Sequence, residues 1–170
     1  MSGGIERNKL KEFSLFEGLT DEQIDRVGRV MTVRKFSQDD VIIKEGEEGG
    51  EMFVLIEGAI VISKSLTLNI VEQPELGDKS LIQLDDSQHI FFGEMGLFGS
   101  DKRSATVKAL TDVQLGALNR DQALRLAEED PRLGYRLFYN IGKKLAGNVR
   151  RGNRDALKLT TALCLALEGR

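Results

Sequence analysis

The chain has 170 residues, a mass of 18.9 kDa and a net charge of −3, from 24 Lys and Arg against 27 Asp and Glu. This acidic balance argues against non-specific nucleic-acid binding, and one cysteine and one histidine exclude a disulfide framework, an all-Cys/His zinc site and a multi-histidine metal centre. No apolar run approaches 18 residues and no apolar signal core is visible, so we expect no membrane span, no secretory signal and a cytoplasmic location.

The first of three predicted segments, residues 1–30, is helical. Thr20 and Gln23 stand at the N-cap and N3 positions of a capping box, which marks the start of a helix. A stripe of apolar residues lies behind it: Ile24, Val27 and Val30. We therefore predict an N-terminal helical segment before any β-structure.

The second segment, residues 31–118, consists of short β-rich runs separated by turn residues. Candidate strands cover residues 31–36, 41–44, 52–57, 59–65, 66–71, 81–84, 105–109 and 113–117. Gly46, Gly49, Gly50 and Gly58 lie between them, where tight turns are least costly. The spacing predicts a mainly β fold with flanking helices (α+β), built on an antiparallel β-roll or jelly-roll barrel.

The third segment, residues 119–170, returns to helix. Residues 120–129 predict one short helix, and Asp130 followed by Pro131 has the form of an N-cap and N1 pair that starts a second. The second helix is predicted to extend to about residue 167, along this apolar stripe: Leu133, Leu137, Ile141, Leu145, Val149, Gly152, Ala156, Leu159, Leu163 and Leu167. Three glycines in it also allow a bend or an earlier end.

That helix is longer than one small domain can cover, at roughly 50 Å for 1.5 Å per residue. Its overlong apolar stripe therefore favours pairing with a second copy of the chain. Its basic residues are interpreted as a solvated face: Lys143, Lys144, Arg150, Arg151 and Arg154.

The most informative stretch is residues 92–107. Glycines at 93 and 96 let the backbone approach a ligand closely, and the first amides of a short helical turn there attract an anion. Arg103 lies nine residues after Glu94 and can hold a phosphate with two hydrogen bonds. A carboxylate beside a phosphate is unfavourable by charge alone, so Glu94 is interpreted as an acceptor for sugar hydroxyls.

Phe92-Gly93-Glu94, a short helix and Arg103-Ser104-Ala105-Thr106-Val107 together resemble the phosphate-binding cassette of the cyclic-nucleotide-binding domain family. This family includes the bacterial catabolite activator, kinase regulatory subunits and gated channels. The glycine-rich turns of residues 44–58 and the entry at residues 16–20 are similar too, so the resemblance spans roughly residues 13–150. Two features depart from the family: residues 85–89 replace its usual glycine turn, and residues 65–91 are longer than its hairpin.

The resemblance implies a role for each matching residue. Glu94 would accept the ribose 2′-hydroxyl, and Arg103 would bind the cyclic phosphate. Gly93, Met95, Gly96 and Leu97 would form the cassette turn that contributes backbone amides. Ser104 would reach the phosphate or the base, Ala105 would lie against the phosphate, and Asn148 and Val149 would be the C-terminal helix residues nearest the base.

These observations lead to a non-catalytic regulatory module that senses a 3′,5′-cyclic nucleotide, cAMP being favoured over cGMP, without a metal or other cofactor. Binding would be relayed through the cassette to the C-terminal helix. About 20 residues follow Arg150, too few for the helix-turn-helix domain of the catabolite-activator relatives. We therefore expect no direct nucleic-acid binding and a homodimer or an attachment to a downstream effector.

Two alternatives belong to other classes. The first is a dimeric interaction scaffold of the same fold, with an empty pocket or a different ligand such as a cyclic dinucleotide. The second is an enzyme, which the sequence disfavours because it offers no histidine cluster, nucleophile–base pair or metal set.

Overall fold

The structure, a computed structural model, describes residues 5–64, 80–99 and 102–168, and its helices lie on either side of the β-strands in the chain. The described helices are α1 (Arg7–Lys11), α2 (Asp21–Val30), α3 (Arg120–Glu129) and α4 (Pro131–Glu168). The described strands are β1 (Thr32–Phe36), β2 (Val41–Ile43), β3 (Glu51–Glu57), β4 (Ala59–Lys64), β5 (Ser80–Asp85), β6 (Phe91–Phe92), β7 (Thr106–Ala109) and β8 (Val113–Asn119). Short 3-10 helices cover Ser14–Phe16, Asp86–Gln88 and Glu94–Leu97.

The described strands form two four-stranded antiparallel sheets, in the orders β1-β8-β3-β6 and β2-β7-β4-β5. This arrangement confirms the predicted jelly-roll fold, although the ring of strands does not close into one continuous sheet among these residues. The strand predicted at residues 66–71 lies outside the described residues. One core is shared by the two sheets and consists of Ile43, Phe53, Leu55, Ile60, Phe92, Val107, Ala109, Val113, Leu115 and Ala117.

A second core lies on the other face of the first sheet, where the terminal helices cover it. Successive side chains of a strand point to opposite faces, so Phe53 and Leu55 of β3 enter the core between the sheets while Met52 and Val54 meet the helices. The helical contribution to this second core is Leu10, Phe13, Leu15, Phe16, Ile24, Val27, Ala123, Leu126, Leu133, Leu137 and Ile141. The N-terminal and C-terminal helices therefore form one layer against the β-roll.

Side-chain caps fix where the helices begin. The Thr20 hydroxyl accepts from the Gln23 amide at 3.3 Å and the Gln23 side chain accepts from the Thr20 amide at 3.0 Å, which confirms the predicted capping box. Asp130 accepts from the amide of Leu133 at 3.1 Å and from the Gln23 side chain at 3.0 Å. Chiefly because of the Gln23 hydrogen bond, the pKa of Asp130 lies below its usual value. Asp130 thus caps α4 and joins it to α2.

α4 runs without interruption for 38 residues, so its glycines do not end it. Its first turns are buried at Leu133, Leu137 and Ile141, whereas Leu159 in the second half is 73% exposed. The second half therefore extends beyond the layer that covers the sheet. No helix in the described ranges has the length and hydropathy needed to cross a lipid bilayer.

The departure at residues 85–89 has a local structural solution. Residues Asp86–Gln88 form a 3-10 helix, and His89 follows in the left-handed region at φ +46°. Histidine adopts this conformation less easily than glycine does, and here it reverses the chain before β6.

We expect the helical layer to be a main source of stability. Leu126→Ala on α3 removes a side chain that is 3% exposed and should lower the free energy of unfolding by about 2–5 kcal/mol. Leu124→Ala on the same helix is the matched control, because Leu124 is 45% exposed, and should cost less than about 1 kcal/mol. Urea denaturation measures both, and equal losses would contradict the assignment of this core.

Candidate functional site

The predicted cassette motif folds into a tight turn between β6 and β7. We call residues 93–99 the cassette turn. Gly93 opens it at φ +74°, a conformation that favours glycine, and its carbonyl accepts from the Gly96 amide at 3.0 Å. The 3-10 helix Glu94–Leu97 follows, with Leu97 buried in the helical core and Met95 54% exposed. The sequence thus predicted the short helix at the position where it is found.

The guanidinium of Arg103 lies against the cassette turn from the β-roll side. Its Nη1 donates to the carbonyls of Glu51 at 2.8 Å and Gly93 at 3.1 Å. Among the described residues, its Nε and Nη2 have no acceptor. A methyl group on Gly49 would lie 2.4 Å from Nε and 2.6 Å from Nη2. The close approach of residue 49 to this edge of the guanidinium therefore requires glycine.

Burial lowers the pKa of Arg103, and the carboxylate of Glu51 opposes that shift. The Glu51 carboxylate itself pairs with Arg34 at 2.6 Å. Arg103 is therefore a half-buried cation whose hydrogen bonds go to neutral carbonyls. A bound anion would stabilise such a group, because the carbonyls replace only part of the hydration that the guanidinium loses on burial.

Glu94 is buried, with its side chain 8% exposed, and its Oε2 accepts from Lys144 Nζ of α4 at 3.2 Å. Lys144 also donates to the carbonyl of Phe91 and lies 4.0 Å from the centroid of the Phe91 ring. The prediction that Lys144 belongs to a solvated basic face is therefore wrong: its side chain is 29% exposed and crosses from α4 to the cassette.

Arg120, the first residue of α3, lies on the opposite end of the cassette turn. It donates to the carbonyl of Gly96 at 3.0 Å and that of Leu97 at 3.2 Å, and also to that of Gly99. Sequence reasoning missed Arg120 because nothing in its neighbourhood in the chain indicates carbonyl partners 21 to 24 residues away.

The other predicted site residues are distributed unevenly. Ser104 is exposed and its hydroxyl lies 3.9 Å from the Met95 sulfur, while Ala105 is half-buried just before β7. Asn148 and Val149 are exposed on α4, and the Asn148 side chain accepts from Arg151. In this structure the polar contact from α4 to the cassette comes one turn earlier, at Lys144. The described residues contain no group of three or more His, Cys, Asp or Glu suited to a metal ion.

Comparison with known proteins assigns the family and the fold. Residues 33–130, more than half of the chain, match the cyclic nucleotide-binding domain. The chain belongs to the cyclic-nucleotide-binding domain family. The resemblance found in its sequence is thereby confirmed.

This cyclic-nucleotide-binding domain is similar in sequence to kinases and in fold to several solved structures. cGMP-dependent protein kinase 2 of Mus musculus is 31% identical over 150 residues, which cover 88% of this chain and 18% of the kinase. The Thermus thermophilus catabolite activator protein superposes with a TM-score of 0.73 at 24% identity, over 86% of this chain and 63% of that one. The regulatory domain of Toxoplasma gondii PKA with cAMP superposes with a TM-score of 0.66 at 22% identity, over 83% of this chain and 48% of that one. The chain thus spans less than a fifth of its curated kinase relative, and the solved structures establish the fold.

We expect Arg120 to hold the cassette turn in place. Arg120→Ala leaves three carbonyl acceptors without their donor and should reduce stability by about 1–3 kcal/mol, with faster amide exchange in residues 93–99. Arg125→Ala, at an exposed position of the same helix, should leave both unchanged. Denaturant unfolding and hydrogen exchange measure the two effects, and equal exchange in both variants would contradict this role.

Proposed function

We propose that this domain is a non-catalytic sensor that binds a 3′,5′-cyclic purine nucleotide, with Arg103 on the phosphate and Glu94 on the ribose. The observation that carries the proposal is the half-buried Arg103 guanidinium, which donates only to neutral carbonyls and keeps Nε and Nη2 without an acceptor among the described residues. A cyclic phosphate offers two oxygens that match this pair of donors.

Glu94 supports a nucleotide ligand rather than a simple anion. A carboxylate in the same short turn would repel an anion that bound alone, but it can accept from a ribose hydroxyl. The sugar-phosphate of a cyclic nucleotide carries both kinds of group at a fixed separation. The cassette therefore supports a ligand in which a phosphate and a ribose hydroxyl are held in one rigid, fused ring system.

The choice between cAMP and cGMP is the finer part of the proposal. We retain cAMP as the first candidate and cGMP as its competitor. The relatives' names include both a cGMP-dependent kinase and a PKA domain with cAMP. The exposed hydroxyl of Ser104, whose described contact is the Met95 sulfur, is free to turn toward a phosphate or a base.

Binding would be relayed to α4 by the contacts of the cassette turn. Leu97 packs in the same core as Leu133 and Leu137, and the Phe98 ring meets the Phe138 ring of α4 edge-on, with centroids 5.8 Å apart. Phosphate capture would tighten the turn and shift these contacts, and α4 would then move between two packed positions. A nucleotide biases this equilibrium only by its different affinity for the two arrangements.

Isothermal titration with cAMP, cGMP and a cyclic dinucleotide tests the ligand. Binding of a mononucleotide is expected, and Arg103→Ala should weaken it by roughly 10²–10³-fold because a desolvated charge partner is lost. Arg125→Ala on exposed α3 surface is the control and should bind as the wild type does.

Each contrary result identifies an alternative. Affinity within threefold of wild type in Arg103→Ala would contradict the phosphate role. No heat with any of the three nucleotides would favour the interaction scaffold, and hydrolysis of the added nucleotide would favour an enzyme.

We also propose that the second half of α4 pairs with a second copy of the chain rather than with a separate effector. The stripe Val149, Gly152, Ala156, Leu159, Leu163 and Leu167 follows steps of three and four, which favours helix–helix pairing. Its three leucines, Leu159, Leu163 and Leu167, are 73%, 60% and 61% exposed. Burial of these side chains against a copy of themselves would remove a large apolar surface from water.

Light scattering at micromolar concentration should give about twice the 18.9 kDa of one chain. The double substitution Leu159→Glu and Leu163→Glu should restore a single chain, since charges on the stripe oppose association. A wild-type mass equal to that of one chain, both with and without nucleotide, would contradict this proposal.

A further inference from the structure

The buried carboxylate of Glu94 requires a counter-charge. Its side chain is 8% exposed, and moving an ionised carboxylate out of water is costly unless a partner compensates it. Of the Lys and Arg side chains in the described residues, Lys144 makes the ion pair with it, at 3.2 Å between Nζ and Oε2. The charge of the buried Glu94 carboxylate is therefore compensated by a residue of α4.

Lys144 is itself held firmly at this position. Its ammonium group donates to the Phe91 carbonyl and lies over the Phe91 ring, 4.0 Å from the centroid. Burial lowers the pKa of Lys144, and Glu94 opposes that shift. Lys144 thus contacts the chain on either side of Gly93, at the first residue of β6 and the first residue of the 3-10 helix.

The two oxygens of the Glu94 carboxylate are used differently. Oε2 accepts from Lys144, whereas Oε1 accepts no hydrogen bond from any residue that the structure describes. An ionised carboxylate has about four acceptor positions, so one ammonium does not exhaust it. The pair leaves one oxygen for a further donor.

We propose that Lys144 is a positioning residue for ribose recognition: by binding Oε2 it compensates the charge of the Glu94 carboxylate and orients it, so that Oε1 accepts the 2′-hydroxyl of the nucleotide. This inference rests on the proposed function and adds the residue that makes Glu94 an acceptor. Because Lys144 follows Ile141, a residue buried in the helical core, the acceptor is complete only while the first half of α4 is docked on the β-roll.

The inference has a signature that a merely structural role would not produce. If Lys144 acts through Glu94, its loss removes the preference for a ribose over a 2′-deoxyribose, while the phosphate contact at Arg103 remains. General loosening of the fold would weaken the binding of both nucleotides together and leave the ratio of their affinities unchanged.

The experiment compares cAMP with 2′-deoxy-cAMP by titration into the full chain, with cGMP and its 2′-deoxy form used if cGMP binds better. Wild type should prefer the ribose form by about 10–100-fold, the range of one hydrogen bond to a charged acceptor. Lys144→Met should reduce that preference to less than about threefold. Lys143→Met is the matched control, because Lys143 is 61% exposed and pairs with Glu17 on the surface, and should keep the wild-type ratio.

A second substitution protects the test against a folding defect. Lys144→Gln is neutral but can still donate to the Phe91 carbonyl, and it should lose the ribose preference as the methionine variant does. Thermal unfolding followed by circular dichroism shows whether each variant is folded.

A wild-type ratio retained in folded Lys144 variants would overturn the inference. Tighter binding of cAMP by these variants would also overturn it, since it would mean that Lys144 competes with the nucleotide. A wild-type chain that binds both sugars equally would overturn it as well. Binding of neither nucleotide by wild type is a different result, since it would contradict the proposed function itself.

Discussion

The arrangement of the site depends on how the backbone carbonyls around the cassette turn find hydrogen-bond donors. The turn is too short for helical or sheet hydrogen bonds to satisfy all of them, and buried carbonyls without a partner are costly. Three basic side chains from three parts of the chain supply the donors: Arg103 before β7, Arg120 at the start of α3 and Lys144 in α4. The turn therefore keeps its shape only while the β-roll and both C-terminal helices are packed around it.

The cassette turn and the strand before it lie between the two cores. Phe92 lies in the core between the sheets, whereas Phe91 and Leu97 lie in the core beneath the helices. An anion bound at Nε and Nη2 of Arg103 would act on the same guanidinium that holds the Gly93 carbonyl, next to the backbone that Lys144 and Arg120 hold. The core between the sheets and the core beneath the helices are thus joined here through a few shared peptide groups.

The basic side chains differ in the charge that faces them. Lys144 meets a carboxylate, so its charge is largely compensated within the protein. Arg103 meets neutral carbonyls, with the nearest acid, Glu51, already paired to Arg34. Under the proposed function, this difference suits Arg103 to an added phosphate and Lys144 to the orientation of an internal acid. The overall charge of −3 gives no indication of this local distribution.

Local rules in the sequence by itself determined the capping box at Thr20, the glycine that opens the cassette turn and the strand around Phe53, because each depends on neighbours a few residues away. Asn119 and Gln122 form a second capping box whose signal was also present in the sequence. Only the tertiary structure decided the roles of Lys144 and Arg120 and the exposure of Asn148 and Val149. A lysine on an amphipathic helix is solvated or buried according to what lies opposite it, and Glu94 is 50 residues away in the chain.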